Sequence, residues 1–251
     1  MPPPASSLGR MLALLDAFNE QRPAWDVEAL SQRFGYPTSS TYRYVRELCR
    51  AGLLVRLPPG IYVIGARVVE LEALIRHSDP LTTAGQPLLQ ALAQETGCHA
   101  LLSNLYGDRL LNVIHAPGLE PLQLAYLRGR SLPWFRGAPS KSVLAFRSKA
   151  RVRKLYDEVF GAQATDEQWH AIWAELRAVR KAGYCVSQAE LEAGVVGFGA
   201  PVLVEGEVMG SLSLVCSAHR ASLLNPDALG ARLQDGARSL AEHIEHRASV
   251  A

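Results

Sequence analysis

Residues 37–54 read PTSSTYRYVRELCRAGLL and combine hydroxyl side chains with arginines, which are side chains that bind nucleic acid. At about 100° per residue, Val45, Leu48 and Cys49 fall on one side of a helix, which is predicted to be buried. The opposite side presents hydroxyls near the N-terminus and arginines further along, namely Ser39, Ser40, Arg43 and Arg46. Serine can contact a base or a phosphate, and arginine can bind guanine through two hydrogen bonds. The pattern predicts a DNA-reading helix, with a solvated surface helix as the alternative.

The residues on either side predict the elements that would hold this helix. An apolar stripe in LGRMLALLDAFNEQ indicates a first helix, and Asp26 is a suitable N-cap for a second helix, VEALSQRF. Gly35 is predicted to end the second helix, and Thr38 or Ser39 to cap the third. LLVRL, the turn PPG and IYVI then predict a hairpin. Three helices followed by a hairpin are typical of a winged helix-turn-helix, in which Arg56 and the hairpin tip can meet the DNA backbone.

The remaining sequence predicts a linking helix and then a mixed domain. Helices are predicted at about 81–95, 138–148, 149–159, 166–182 and 226–247. Strands are predicted in HALLSNLY, LLNVIH, PLQLAYL, YCVSQ, VVGFGAPVLV and VMGSLSLVCS. A sheet flanked by helices makes this an α+β domain.

Composition and charge exclude several classes of protein. Apolar residues make up 48% of the 251 residues and charged residues 20%, which suits a globular protein with a sizeable core. No run of eighteen apolar residues predicts a membrane span, and MPPPASSLGR does not resemble a secretory signal, so we expect a cytoplasmic protein. The net charge is only +2, but residues 37–56 contain four arginines and one glutamate. The excess positive charge is therefore concentrated on the predicted DNA-reading helix and hairpin.

Patterns typical of enzymes or metal sites are absent from the sequence. It contains no GxSxG, HExxH, GxxxxGK[ST] or strand-linked GxGxxG motif. The four cysteines form no CxxC pair, and His243 and His246 are three residues apart without an evident third ligand. We therefore expect no catalytic residues, no metal and no cofactor. Two alternatives stay open: an enzyme that uses the α+β domain with the N-terminal module as a targeting arm, and an architectural DNA-binding protein without a ligand.

Several motifs in the same order resemble the IclR family of bacterial transcriptional regulators. RFGYPTSSTYRYVREL resembles the family's helix-turn-helix, and GLLVRLPPGIYVIGARVVELE resembles its wing and linker. GRSLPWFRGAPSKSVLAF, VRKAGYCVSQAELEAGVVGFGAPV and VMGSLSLVCSAHR resemble motifs of its C-terminal domain. The resemblance covers residues 7–247, and it implies a winged helix-turn-helix joined by a linker helix to a GAF-like α/β domain that binds a small effector. It also implies a homodimer or homotetramer on palindromic, double-stranded operator DNA, without membrane attachment.

The resemblance also implies where DNA and the effector bind. Family positions for DNA contacts match Ser39, Ser40, Tyr42 and Arg43, whereas the family's usual lysine is replaced by Thr38. With Arg46 and Arg56, these residues complete the predicted DNA-binding set. Family positions that line the effector pocket match Gly137, Ala138, Ser187, Gly197, Ser213 and Val215.

Departures from the family pattern suggest the chemistry of the effector. The acidic residue often found at position 187 is missing, and Arg136 lies beside a predicted helix N-terminus, so an anion is favoured. Trp134 and Phe135 can supply a flat apolar wall. We therefore expect a regulator of a catabolic operon that senses a small organic carboxylic acid, with aromatic acids included. The alternative is that Trp134 and its neighbour Phe135 pack in a core while Arg136 is solvated.

These interpretations divide the chain into four parts. We expect a disordered leader at 1–6, the winged helix-turn-helix at 7–65, the linker helix at 66–79 and the effector-binding domain at 80–251.

Overall fold

The structure, a computed structural model, describes residues 6–250, with side chains described as far as His246. Residues 1–5, most of the expected leader, lie outside the described residues, whereas Ser6 accepts a hydrogen bond from the amide of Gly9 and caps the first helix. The chain forms two compact units, Met1–Ser78 and Asp79–Ala251.

Within the described residues, the first unit contains four α-helices and a two-stranded antiparallel sheet. In chain order these are α1 (Ser7–Ala13), which continues into a 3-10 turn (Leu14–Ala17), α2 (Val27–Phe34), α3 (Thr38–Arg50), β1 (Leu54–Leu57), β2 (Ile61–Ile64) and α4 (Arg67–Ser78). Asp26 caps α2 by accepting a 2.7 Å hydrogen bond from the amide of Ala29, and Gly35 ends the helix at a φ of +66°. Both ends of α2 thus use the residues predicted from the sequence.

The predicted cap of α3 was wrong. Thr38 is already the first helical residue, and the N-cap is Pro37, which has no side-chain hydrogen bond to the helix. Instead, the carbonyl oxygen of Pro37 accepts hydrogen bonds from the amide and the hydroxyl of Thr41, at 3.0 and 3.2 Å. Thr41 is therefore held inside the unit, and the Thr38 side chain stays exposed.

The core of the first unit lies beneath α3. Val45 and Leu48 are each 1% exposed, as predicted, and they pack with fully buried Leu14 and Leu30. Tyr44 is also buried, and its hydroxyl lies 3.1 Å from the hydroxyl of Ser7. The inner side of α3 is thus fixed by packing, which determines the direction of its outer side.

The second unit is built on a five-stranded antiparallel sheet of order β4-β3-β7-β6-β5. Its strands are β3 (His99–Tyr106), β4 (Arg109–Ala116), β5 (Cys185–Gln188), β6 (Val195–Val204) and β7 (Glu207–Ser217). Its helices are α5 (Pro80–Thr96), α6 (Ala138–Leu144), α7 (Lys149–Phe160), α8 (Asp166–Ala182), α9 (Ala218–Ser222) and α10 (Pro226–Val250). This mixed architecture confirms the predicted α+β class.

Two large hydrophobic clusters and a smaller one around Leu110, Leu132 and Val143 hold the second unit together. One cluster joins α5 and α10 to the sheet, with Leu89, Leu102 and Phe198 among its most buried members. The other large cluster joins α6, α7 and α8 around Tyr156 and Trp169. Helix α6 lies against β6 and β7, so its first residues are held close to the sheet.

Two predictions for this unit were wrong. PLQLAYL, which was predicted to be a strand, lies in residues 117–130, and these residues form neither helix nor strand. Its Leu124 and Tyr126 side chains instead line a pocket. Helix α6 ends at Leu144, earlier than predicted, and a short turn separates it from α7.

Candidate functional site

Five of the seven predicted DNA-binding residues line one concave surface of the first unit. They are Ser39, Tyr42, Arg43, Arg46 and Arg56, and the surface is completed by Cys49 and Tyr62. α3 supplies most of the surface, and the β1–β2 hairpin supplies Arg56 and Tyr62. Helix and hairpin therefore present arginines to the same concavity, which suits a surface that contacts both bases and phosphates.

The other two predicted DNA-binding residues lie outside this concavity. Thr38 is exposed at the start of α3, and its hydroxyl lies 3.3 Å from that of Ser31. Ser40 is only partly exposed. Both stay predictions, and the location of Thr38 suits a contact with the DNA backbone at the helix start.

The arginines of α3 differ in whether a carboxylate neutralises their charge. Glu47 lies 3.5 Å from the Nε of Arg46 and 3.1 Å from an Nη atom of Arg50, so one carboxylate serves two guanidinium groups. The guanidinium of Arg43 lies 5.6 Å from the ring centre of Tyr44. No ion pair of Arg43 occurs among residues 6–246. Of the arginines on α3, Arg43 is therefore the best placed to meet a partner from outside the molecule.

Two residues on the wall of the concavity were not predicted there: Tyr62, and Cys49, which was predicted to be buried with Val45 and Leu48 but is only half-buried. Burial raises the pKa of Cys49, and burial likewise raises the pKa of Tyr62, so both side chains are uncharged at neutral pH. Tyr62 lies directly opposite Arg56 in the hairpin. The register of the hairpin could have indicated this neighbour, whereas the helical pattern of α3 alone could not.

A second candidate site is a pocket in the second unit with a cavity volume of about 50 Å³. Its wall is mainly apolar and combines strand residues with residues of irregular segments. The lining residues are Leu101, Asn112, Leu124, Tyr126, Leu132, Ala138, Pro139, Ser187, Glu190, Leu191, Glu192, Val195, Gly197 and Val215. A small organic molecule would find both apolar surface and a few polar groups there.

Four of the eight predicted effector-binding residues line this pocket: Ala138, Ser187, Gly197 and Val215. Ser187 accepts a 3.0 Å hydrogen bond from the amide of Ala138 and thereby joins β5 to the start of α6. A Cβ atom on Gly197 would lie 3.1 Å from the Ser187 hydroxyl. The absence of a side chain at Gly197 therefore leaves room for the contact between Ser187 and α6.

The other four predicted residues do not line the pocket. Gly137 lies next to it, Ser213 is fully buried, and the Trp134 indole donates a 3.1 Å hydrogen bond to the Asp108 carbonyl. Arg136 is exposed, and its Nε donates a 3.0 Å hydrogen bond to the carbonyl oxygen of Glu190. Their role in effector binding stays a prediction. Phe135 is buried in the cluster of α6, α7 and α8, as the alternative interpretation expected.

Two acidic residues of the pocket wall, Glu190 and Glu192, were also missed. The carboxylate of Glu190 accepts hydrogen bonds from the Gly137 amide at 2.8 Å and from the Lys141 ammonium at 2.6 Å. Lys141 is only 8% exposed, and it also donates to Glu175 at 2.7 Å. Burial by itself would lower the pKa of Lys141, but the hydrogen bonds and charges of Glu175 and Glu190 outweigh burial and raise it. Lys141 is therefore fully protonated at neutral pH.

The 117–130 segment crosses the pocket and is held by polar contacts. The carboxylate of Glu192 accepts a hydrogen bond from the amide of Ala125, and the side-chain amide of Asn112 donates to the Tyr126 carbonyl. The Asn112 carbonyl accepts a 2.8 Å hydrogen bond from the amide of Gly129. Glu192 and Asn112 thus fix the segment from two sides, although the segment has no regular structure of its own.

Other kinds of site find little support in the structure. Within residues 6–246, no three His, Cys, Asp or Glu side chains are grouped so that they could hold a metal ion. No helix in the described part of the chain is long and apolar enough to cross a membrane.

A winged helix-turn-helix in the same chain as an α/β domain with a candidate small-molecule pocket is the domain composition of a DNA-binding transcription regulator with an effector-binding domain. Comparison with protein families agrees. The IclR helix-turn-helix domain matches residues 7–58, and the C-terminal domain of the bacterial transcriptional regulator IclR matches residues 74–242. The chain belongs to the IclR family of bacterial transcriptional regulators.

Individual relatives are regulators as well, and they do not support the enzyme alternative. The transcriptional regulator KipR of Bacillus subtilis is 25% identical over 209 residues, which cover 82% of this chain and 83% of KipR. The p-hydroxybenzoate hydroxylase transcriptional activator of Acinetobacter baylyi is 25% identical over 227 residues, 86% of this chain and 82% of the relative. A solved IclR-type regulator structure from Silicibacter has a TM-score of 0.80 and 25% identity, and 96% of each chain is covered.

Proposed function

We propose that this regulator controls a catabolic operon by binding a palindromic operator in the cytoplasm, and that a small organic carboxylic acid changes its affinity for that operator. Aromatic acids are the first class to test. The observation that carries the proposal is the presence of two separate candidate sites, an arginine-lined concave surface in the first unit and a mainly apolar pocket in the second. Such a regulator needs one site for DNA and one for the signal.

In the proposed complex, α3 enters the major groove with its exposed side toward the bases. Ser39, near the helix N-terminus, and Arg43, one turn later, are the candidates for base contacts. Arg46 and Arg56 are placed to contact phosphates on either side, since they lie on the helix and the hairpin respectively. Thr38 would add a weaker hydroxyl contact to a phosphate where relatives of this family have lysine.

The proposed effector class rests on the pocket wall and on one relative. Leu101, Leu132 and Leu191 provide apolar surface for a flat ring, and Ser187 and Asn112 provide polar groups. The Acinetobacter baylyi relative is named as the activator of a p-hydroxybenzoate hydroxylase, so that protein acts on a gene for aromatic-acid metabolism. We therefore choose 4-hydroxybenzoate and benzoate as first probes.

Fluorescence anisotropy with labelled DNA from upstream of the protein's own gene tests the proposal. We expect tight, salt-sensitive binding to one palindromic segment, and a change in affinity when an aromatic or aliphatic acid is added. Val215→Phe should fill the pocket and remove the response without loss of DNA binding, and Val186→Phe on β5, outside the pocket lining, is the control. A response only to neutral or cationic compounds would refute the proposed effector class.

We further propose a homodimer as the DNA-binding form, because operator palindromes match a twofold axis. Helix α4 has no buried residue in the single chain, and Val69 is 69%, Leu74 61% and Ile75 49% exposed. Such exposed apolar side chains on one helix are typical of an interface with another protein. Light scattering should give a dimer or tetramer for the wild type and a monomer for Val69→Glu/Leu74→Glu. Arg67→Glu, on the same helix, is the control, and a wild-type monomer at micromolar concentration would contradict the proposal.

A further inference from the structure

The pairing of Lys141 bears on how an acidic effector would bind, and the inference rests on the proposed effector class. Lys141 is more than nine-tenths buried and is held by two carboxylates, at 2.6 Å from Glu190 and 2.7 Å from Glu175. The carboxylates are not equivalent. Glu190 lines the effector pocket, whereas Glu175 on α8 is not part of the pocket lining.

The carboxylates on the pocket wall oppose the entry of an anion as long as this pairing persists, since the nearby Arg136 guanidinium is held on the backbone carbonyl of Glu190 and does not line the pocket. One ammonium faces two carboxylates, so the three side chains together carry a net negative charge. Among the described residues that line the pocket, two are glutamates and none is lysine, arginine or histidine. Like charges repel strongly where water is excluded, so a carboxylate that enters the pocket would meet Glu190 unfavourably.

We propose that Glu190 is an internal substitute for the effector: its carboxylate occupies Lys141 when the pocket is empty, and the carboxylate of an acidic effector takes its place. Glu190 is suited to this exchange. Its contacts with Lys141 and with the Gly137 amide are made by the side chain, so a rotation of that side chain frees both donors. It lies in residues 189–194, which form neither helix nor strand, and its side chain is 26% exposed and can reach water.

The exchange also explains how the predicted effector-binding residue Gly137 takes part without lining the empty pocket. Its amide is now covered by the Glu190 carboxylate, and it becomes available to a ligand when Glu190 leaves. Lys141 keeps Glu175 as a partner throughout the exchange, and the ligand carboxylate takes the place that Glu190 leaves, so both donors stay occupied in both states. The ligand carboxylate therefore replaces an interaction and does not add one to an empty site.

Calorimetric titration of full-length Glu190→Gln and Glu175→Gln with benzoate and benzamide tests this inference. Each substitution removes one negative charge beside Lys141 and keeps an oxygen that can accept a hydrogen bond. Only Glu190→Gln removes the competing charge from the pocket wall. We expect it to bind benzoate about tenfold more tightly than the wild type. Benzamide affinity should change less than twofold, and Glu175→Gln should bind benzoate nearly as the wild type does. Thermal melting of both variants verifies that they are folded.

The outcomes separate this inference from the proposed function. The proposed exchange would be wrong if the wild type and Glu190→Gln bound benzoate equally well, or if Glu175→Gln gained as much affinity as Glu190→Gln. Either result would still be compatible with an acidic effector. If neither benzoate nor any other aromatic or aliphatic acid binds the wild type or Glu190→Gln, the effector class itself is wrong.

A crystal structure of the wild type with 4-hydroxybenzoate gives a direct and independent readout. We expect a carboxylate oxygen of the ligand within hydrogen-bond distance of the Lys141 Nζ, and the Glu190 carboxylate rotated away from it. Glu190 still bound to Lys141 beside an acid in the pocket would overturn the exchange, whatever the titrations show.

Discussion

The concave surface of the first unit and the pocket of the second unit differ in whether their charged side chains have partners within the protein. Arg43 and Arg56 on the concave surface are exposed to solvent. An anionic partner for them, such as a DNA phosphate, would come from outside the molecule. In the pocket, the carboxylates of Glu190 and Glu192 are both occupied by donors of the protein itself. Cations on a DNA-binding surface can stay solvated by water, so they need no partner in the free protein. Charged groups in a partly buried site lose hydration free energy and therefore need hydrogen-bond partners even before a ligand binds.

The largest effect that separates the two regions is expected from removal of the buried cation. Lys141→Met leaves Glu175 and Glu190 facing each other without their ammonium, and we expect a loss of about 3 kcal/mol in the free energy of unfolding. This value is at the low end for buried pairs because both carboxylates reach solvent. Lys154→Met removes an exposed lysine 3.8 Å from Glu158 and should cost less than about 0.5 kcal/mol. Urea denaturation measures the free energy of unfolding of both variants. Equal losses would contradict the expected difference between buried and exposed charged groups.

Arg43→Ala should give the next largest effect, and this effect should be on DNA affinity and not on the stability of the protein. If Arg43 reads a base, specific operator binding should weaken by about 1–3 kcal/mol, while the stability of the protein changes by less than about 0.5 kcal/mol. Arg50→Ala is the matched control, since Arg50 lies on the same helix, is paired with Glu47 and does not line the concave surface. Anisotropy on operator and random DNA gives both affinities. An unchanged operator affinity in Arg43→Ala would show that this arginine only faces solvent.

The smallest effect is expected from Thr38→Lys, which restores the lysine typical of the family. One additional phosphate contact should steepen the dependence of log affinity on log salt by about 0.9. It should strengthen binding to operator and random DNA alike, because a phosphate contact does not depend on sequence. Anisotropy titrations at several salt concentrations measure the slope. A gain confined to the operator would instead place residue 38 at a base.

The sequence predicted the outer surface of α3 better than it predicted the pocket, and the reason is physical. The direction of Val45 and Arg43 follows from helical periodicity, which is local. The partners of Glu190 are Gly137 and Lys141, about 50 positions earlier in the chain, and only the folded sheet brings them together. No local pattern contains that information.

Two further differences have similar causes. PLQLAYL has the alternating apolar residues of a strand, yet its partly buried Leu124 and Tyr126 side chains line the pocket and do not pack on a sheet. Trp134 and Arg136 do not line the pocket, and Phe135 between them adopts a φ of +65°, a left-handed conformation that its residue type does not indicate.

The polar anchoring of the 117–130 segment has a consequence for kinetics. A segment held by a few side-chain contacts is expected to open locally more often than a strand does, so we expect its opening to influence how quickly a ligand of the pocket enters and leaves. Two ligands of equal affinity can then have different residence times if one of them contacts Leu124 or Tyr126 and the other does not. The response to the proposed effector would then last as long as the ligand stays bound, and amide hydrogen exchange at Ala125 would report how often the segment opens.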